Sequence, residues 1–99
     1  MENVNNQNKI FSDIKFSSGK TVITKSALKC LPQIEIDAAL YRHFTNDWGD
    51  CCEEDWNTNN EALKNGGRLL SVYKSKADIK FGIITEWDRS VTTVLLPED

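Results

Sequence analysis

The sequence predicts an α+β domain: short helices packed on an antiparallel sheet that contains an N-terminal hairpin and a three-stranded C-terminal meander. Three observations carry this. Apolar residues in the last third alternate with period two over three runs separated by turn residues. Between residues 24 and 64 they recur instead at helical spacing, and the connections between the last three runs are too short for any pairing but antiparallel. Ninety-nine residues hold one core and not two, so the expected organisation is a polar tail at 1–8 and a single domain at 9–99.

Met1 to Asn8 is asparagine-rich and has too little apolar surface to offset the entropy of ordering it. From Lys9 to Phe16 the apolar residues alternate, with Ile10, Ile14 and Phe16 on one face. Ser17-Ser18-Gly19-Lys20 is turn material before Thr21-Val22-Ile23 resumes the extended pattern, which predicts the hairpin. Thr24 or Ser26 then caps a short helix through Leu31, and Pro32 stops it by lacking a donor. A second helix is expected from about Glu35 to Phe44, its buried stripe formed by Ile36, Ala39, Leu40 and His43 or Phe44. A third runs from Glu53 to Lys64, with Trp56, Asn59 or Asn60, and Leu63 on one side. Glu53, Glu54 and Asp55 complement the dipole at its start, and Asn65-Gly66-Gly67 ends it.

The three strands are expected at Arg68 to Ser75, Ile79 to Trp87 and Val91 to Leu96. In the middle one, Ile79, Phe81, Ile83, Thr85 and Trp87 share a face, with Lys80, Gly82, Ile84 and Glu86 on the other. Helices should cover the first face, and solvent or a partner should meet the second. An exposed edge at Val91 to Leu96 would allow pairing with a second copy, so both monomer and homodimer are open.

Composition narrows function by exclusion. With 39% hydrophobic and 27% charged residues and only short apolar runs, no segment approaches the roughly 20 apolar residues that span a bilayer. The first residues lack the apolar stretch of a secretory signal and three cysteines cannot all pair, so a reducing cytoplasm is expected. A net charge of −3 with dispersed basic residues argues against direct nucleic-acid binding.

Reactive, charged and aromatic groups crowd one connection, His43 to Asp55, which holds Trp48, Cys51-Cys52 and five acidic residues. Adjacent cysteines are poorly spaced to ligate one zinc ion, and ordinary thiols are the simpler reading. A Cys–His nucleophile pair has no oxyanion loop or orienting carboxylate specified by spacing. Asp47, Asp50, Glu53, Glu54 and Asp55 do not follow the calcium-loop pattern and read as a solvated, helix-capping face. Gly66-Gly67-Arg68 precedes a strand, whereas phosphate loops lead into a helix. Trp48, Trp56 and Trp87 have no interleaved basic patch and read as packing residues rather than a base-stacking platform. No cofactor, metal or catalytic residue is assigned.

His43, Asp47-Trp48-Gly49-Asp50, Glu54-Asp55, Asn59, Ala62-Leu63, Gly67-Arg68, Ser71-x-Tyr73 and Thr85-Glu86-x-Asp88-Arg89-Ser90-x-Thr92-Thr93-x-Leu95-x-Pro97 resemble a family of short proteins from plasmids, phages and integrated elements. Its members are labelled plasmid-related or type I restriction endonuclease subunit M, with no established activity. The resemblance is firm over the second half and loose over the first, through Thr24, Ala27-Leu28 and Leu40, and Cys51-Cys52 departs from it. An adenine methyltransferase would need a glycine-rich turn for its methyl donor and an Asn/Asp-Pro-Pro-aromatic element for the flipped base. The chain has neither, its only prolines being Pro32 and Pro97.

The expected function is therefore that of a non-enzymatic protein-binding accessory or anti-defence factor of a mobile element, with a host defence component as partner. Its expected contact surface places Asp47, Trp48, Asp50 and Asp55 near Arg68, Tyr73, Glu86, Asp88 and Arg89. The structural alternative has Asp47, Arg68, Glu86 and Arg89 tying loop to sheet. The competing function is a small nucleotide-handling or hydrolytic enzyme using His43 with Asp47, Glu86 or Asp88. DNA mimicry by spaced carboxylates is disfavoured by the modest net charge.

Overall fold

The structure, a computed structural model, describes Lys15, Phe16 and residues 19–99. The expected tail at 1–8 and residues 9–14 of the expected hairpin lie outside the described residues. The elements run β1 (Lys20–Ile23), α1 (Lys25–Cys30), α2 (Gln33–Phe44), α3 (Glu53–Asn65), β2 (Leu69–Lys74), β3 (Lys80–Thr85) and β4 (Val91–Leu95). The α+β class is as expected, and among the described residues no helix is long and apolar enough to cross a membrane.

The four strands form one sheet in the order β1-β4-β3-β2. β2, β3 and β4 pair antiparallel in sequence order, but β1 joins β4 in parallel, so the sheet is mixed rather than antiparallel. The parallel pair corrects the expected hairpin: Lys15 and Phe16 are not part of a strand, and β1 takes its partner from the far end of the chain. Three helices and the meander supply the long crossover that a parallel neighbour requires. β4 is consequently an inner strand, and the edge expected to be free at Val91 to Leu96 is occupied by β1.

Local chemistry explains the boundaries. Thr24 donates its backbone N–H to Val94 O at 3.0 Å as the last rung beyond β1, and its hydroxyl caps α1 by accepting from Ala27 N at 3.2 Å. Asp99 closes this corner by accepting from the Thr24 and Ser26 hydroxyls and, at 2.8 Å, from Leu96 N. Those hydroxyls, Ser26 first, hold the Asp99 carboxyl below the usual carboxylate range. Pro32 both ends α1 and caps α2, which therefore begins two residues earlier than its apolar spacing predicts. α3 stops at Gly66, where φ is 83°.

The helices cover one sheet face. Ala27, Leu31, Ile36 and Ala39 pack against Tyr73, Phe81, Ile83, Val94 and Leu96. The inward faces of the strands read Leu69-Ser71-Tyr73, Phe81-Ile83-Thr85 and Thr92-Val94, all buried. Trp87, expected on this face, lies in the turn after β3 and is 70% exposed. The strand ends at Thr85, so its alternation no longer sets the direction of that side chain.

Candidate functional site

The connection from α2 to α3 lies along the outer edge of β2. Val72 donates to Trp48 O at 3.1 Å and accepts from Asp50 N at 2.7 Å, making Gly49 a one-residue parallel bridge to the strand. Further along, on α3, Asn59 accepts from Leu70 N at 3.0 Å and donates to Leu70 O at 2.7 Å. Loop and helix thus satisfy backbone groups that an edge strand would otherwise present to other chains. The close approach requires a glycine: a Cβ on Gly49 would lie 2.0 Å from Val72 O, and its φ is 73°. Gly49→Ala should therefore lose about 2–3 kcal/mol in urea unfolding from overpacking and a strained backbone together.

Asp47 anchors the same loop. Its carboxylate accepts from Arg42 Nε at 2.7 Å and Nη2 at 3.2 Å, and from Gly49 N at 3.1 Å. The Arg42 hydrogen bond holds the Asp47 carboxyl below the usual range and, reciprocally, raises the guanidinium. The Arg42 guanidinium lies 4.7 Å over the Tyr73 ring, whose Oη donates to Asp47 O at 2.6 Å. Burial pushes the Tyr73 phenol up, so this group is a fixed donor.

Trp48, expected as a recognition anchor, is 0% exposed and Tyr73 2%. Neither side chain is available to a partner. Trp48 packs edge-on to His43 at 5.5 Å, stacks at 6.4 Å with Phe16, and donates Nε1–H to Asn60 Oδ1 at 3.0 Å. Trp56 donates to Gly49 O at 3.3 Å. Arg89, half-buried, donates from Nη1 to Gly67 O and from Nη2 to Ala62 O at 3.0 Å. It thereby serves carbonyls at the C-terminal end of α3. Of the expected contact residues, Asp50, Asp55, Arg68 and Asp88 remain exposed and Glu86 half-buried. Arg68 and Glu86 form an ion pair at 3.2 Å, worth under about 1 kcal/mol at such exposure. The Ser90 hydrogen bonds hold the Asp88 carboxyl below its ordinary range.

His43 is the centre of a sealed polar cluster. Its Nδ1 is hydrogen-bonded to the Ser71 hydroxyl and its Nε2, at 2.9 Å, to that of Thr85, which in turn meets Thr92 Oγ1 at 2.8 Å. All four residues are fully buried. Burial first, and the positive charge of Arg89 second, lower the imidazole to about 3. A neutral ring then donates from one nitrogen and accepts at the other. The hydrogen-bond partners are hydroxyls rather than the carboxylates of Asp47, Glu86 or Asp88 that the enzymatic alternative assigns to it. The geometry supports core specification more directly than proton transfer to a substrate from solvent.

No family model, curated protein or solved structure matches the chain. Among the described residues no group of three or more His, Cys, Asp and Glu side chains could hold a metal ion. Cys30, Cys51 and Cys52 are free; the Cys51 thiol donates to Leu70 O at 3.4 Å and burial raises it, away from the thiolate.

The opposite sheet face has a different character. Val22, Thr93, Ile84 and Leu70 form one cross-strand row, and Leu95, Gly82 and Val72 the next. Leu70, Val72, Gly82, Ile84 and Leu95 line a shallow trough of about 190 Å³. No described helix lies over it. The sequence signal was the pair Gly82 and Ile84 on the otherwise charged side of the middle strand, a pattern that leaves this face to solvent or a partner. Its continuation onto Leu70, Val72 and Leu95 depends on strand register.

Proposed function

We propose that the chain is a non-enzymatic protein-binding domain that docks a partner on the uncovered face of its sheet. The observation that carries this reading is the apolar trough across β2, β3 and β4, bordered by charged residues and left open by the described helices. Apolar surface of this kind, rimmed by polar groups, marks interaction sites. The expected surface around the acidic loop is reduced to Asp50, Asp55, Arg68, Glu86 and Asp88, with Arg68 and Glu86 at one margin of the sheet face. The other members of that expected surface serve the fold.

The resemblance to short proteins of plasmids and phages supports a place among mobile-element accessory or anti-defence factors, with a host defence component as the partner. Three free cysteines fit a reducing cytoplasm. The test uses the full chain as bait in lysate of a host that carries restriction and other defence systems, beside Ile84→Asp. That substitution places a charge on the half-buried outer face, and circular dichroism monitors folding. A defence component retained by the wild-type chain and lost by a folded Ile84→Asp variant supports the proposal. Equal retention by both overturns the assigned surface.

A further inference from the structure

Gly82 lies at the centre of β3, opposite Val72 on one side and Leu95 on the other. Its φ is not in the left-handed region, and an added Cβ would meet Ser71 O at 3.4 Å, Leu70 Cδ1 at 3.8 Å and Leu95 Cδ2 at 3.9 Å, all ordinary contacts. Among the described residues nothing therefore imposes a steric need for glycine there. Glycine in a strand interior weakens the strand, and one reason for its presence is close approach by another molecule. Here the missing side chain forms the floor of the trough.

A second feature also opposes stability. Lys74 and Lys80 stand directly across from each other on β2 and β3, on the uncovered face. Like charges opposite each other are unfavourable, and neither lysine forms an ion pair with an acidic residue among the described ones. At the other end of the apolar rows lie Lys20 and Arg68, the latter paired with Glu86. Lys74 and Lys80 thus place two basic groups at one end of the trough, while the other end carries the Arg68–Glu86 pair and, on β1, Lys20, in a chain whose net charge is −3.

We infer that the trough over Gly82 receives an acidic amphipathic segment of a partner protein, two or three apolar side chains seated between Leu70, Val72, Ile84 and Leu95 and carboxylates paired with Lys74 and Lys80. This rests on the binding reading above and adds the partner's chemistry. A volume of about 190 Å³ is below the 300–1,000 Å³ of typical small-molecule sites and suits protruding side chains. A second copy stacked in parallel would bring Lys74 and Lys80 against the same pair of lysines. A lipid surface would favour protruding apolar side chains, whereas Leu70, the most exposed of Leu70, Val72, Ile84 and Leu95, is only 37% exposed.

The test selects from a library of random peptides, long enough for four helical turns, on the full chain. Selected peptides are measured by fluorescence anisotropy on wild type, Gly82→Val, Ile84→Asp and the double variant Lys74→Glu/Lys80→Glu. Vesicles of neutral and anionic lipid are titrated in parallel, and sedimentation follows self-association. The expected winners carry apolar residues at helical spacing beside Asp or Glu. They should weaken about tenfold or more on Gly82→Val, with an unchanged or higher melting temperature for that variant, and by a similar factor on the double lysine variant. A structural role alone would not couple retained stability to lost binding. Winners sensitive to Gly82→Val but lacking acidic residues would overturn the acidic chemistry while leaving the binding reading intact. Peptides indifferent to both Gly82→Val and Ile84→Asp, or no selected peptide at all, would overturn both. Binding to anionic vesicles without peptide binding, or a dimer lost on Gly82→Val, would assign the face to a lipid surface or a second copy instead.

Discussion

Trp48→Ala should destabilise the domain by about 3–5 kcal/mol, the usual cost of truncating a large buried aromatic side chain. A domain of this size has about 5–15 kcal/mol in total, so the variant should unfold at a much lower urea concentration or fail to fold. The indole is fully buried and joins parts of the molecule that are distant in sequence: Phe16 before the sheet, His43 on α2 and Asn60 on α3. Its backbone carbonyl also accepts from Val72 on β2. Loss of the ring leaves a cavity beside the His43 cluster. Trp48→Phe reduces the cavity term, because it keeps an aromatic ring in the site while deleting the Nε1–H donated to Asn60 and part of the indole's volume. It should cost about 1–2 kcal/mol. Were Trp48 a recognition anchor, alanine would instead leave the urea midpoint near that of wild type and affect partner retention alone.

Trp48 is expected both among the packing tryptophans and in a contact surface, and its burial realises only the packing role. Thr24, Pro32 and Asn65-Gly66-Gly67 act on their immediate neighbours, so the helix boundaries they impose can be read from adjacent residues. The loop after α2 has the polar, glycine-containing composition of an exposed connection, yet Gly49 bridges Val72 and turns the loop into a short extra rung of the sheet. That role depends on a partner more than twenty positions away. The same holds for His43, whose hydroxyl partners Ser71 and Thr85 are 28 and 42 residues distant. Periodicity places both hydroxyls on inward strand faces without saying what they meet. The parallel pairing of β1 with β4 is invisible for the same reason, since alternation identifies a strand and not its neighbour. Charge pattern is misleading at Arg89. An arginine beside acidic residues reads as a contact group, but its guanidinium is bound to the carbonyls of Gly67 and Ala62.

Between pH 6.5 and 5 the folding free energy should fall by about 1.6 kcal/mol as the solution is acidified, and His43 should be the cause. The imidazole is lowered to about 3 in the fold and returns to roughly 6.5 when the chain unfolds. In the interval the unfolded chain binds a proton that the folded chain does not. The contribution is therefore fully present above about pH 6.5 and is progressively lost down to the folded value, at about 1.4 kcal/mol per pH unit. Asp47, Asp88 and Asp99 are also held below their ordinary value of 3.8, but they remain ionised in both states until more acidic conditions. The upper part of the window thus belongs to the single histidine in the chain. Urea unfolding at successive pH values measures the slope, and His43→Asn should abolish it between pH 6.5 and 5 whatever its absolute stability. The ring resonances of the wild-type protein should show no titration over that interval. A midpoint near 6.5 in the folded state would mean that the imidazole reaches water, and would restore His43 as a candidate acid–base group; ring resonances that do not titrate leave it as the polar centre that orients Ser71, Thr85 and Thr92 on the inner face of the sheet.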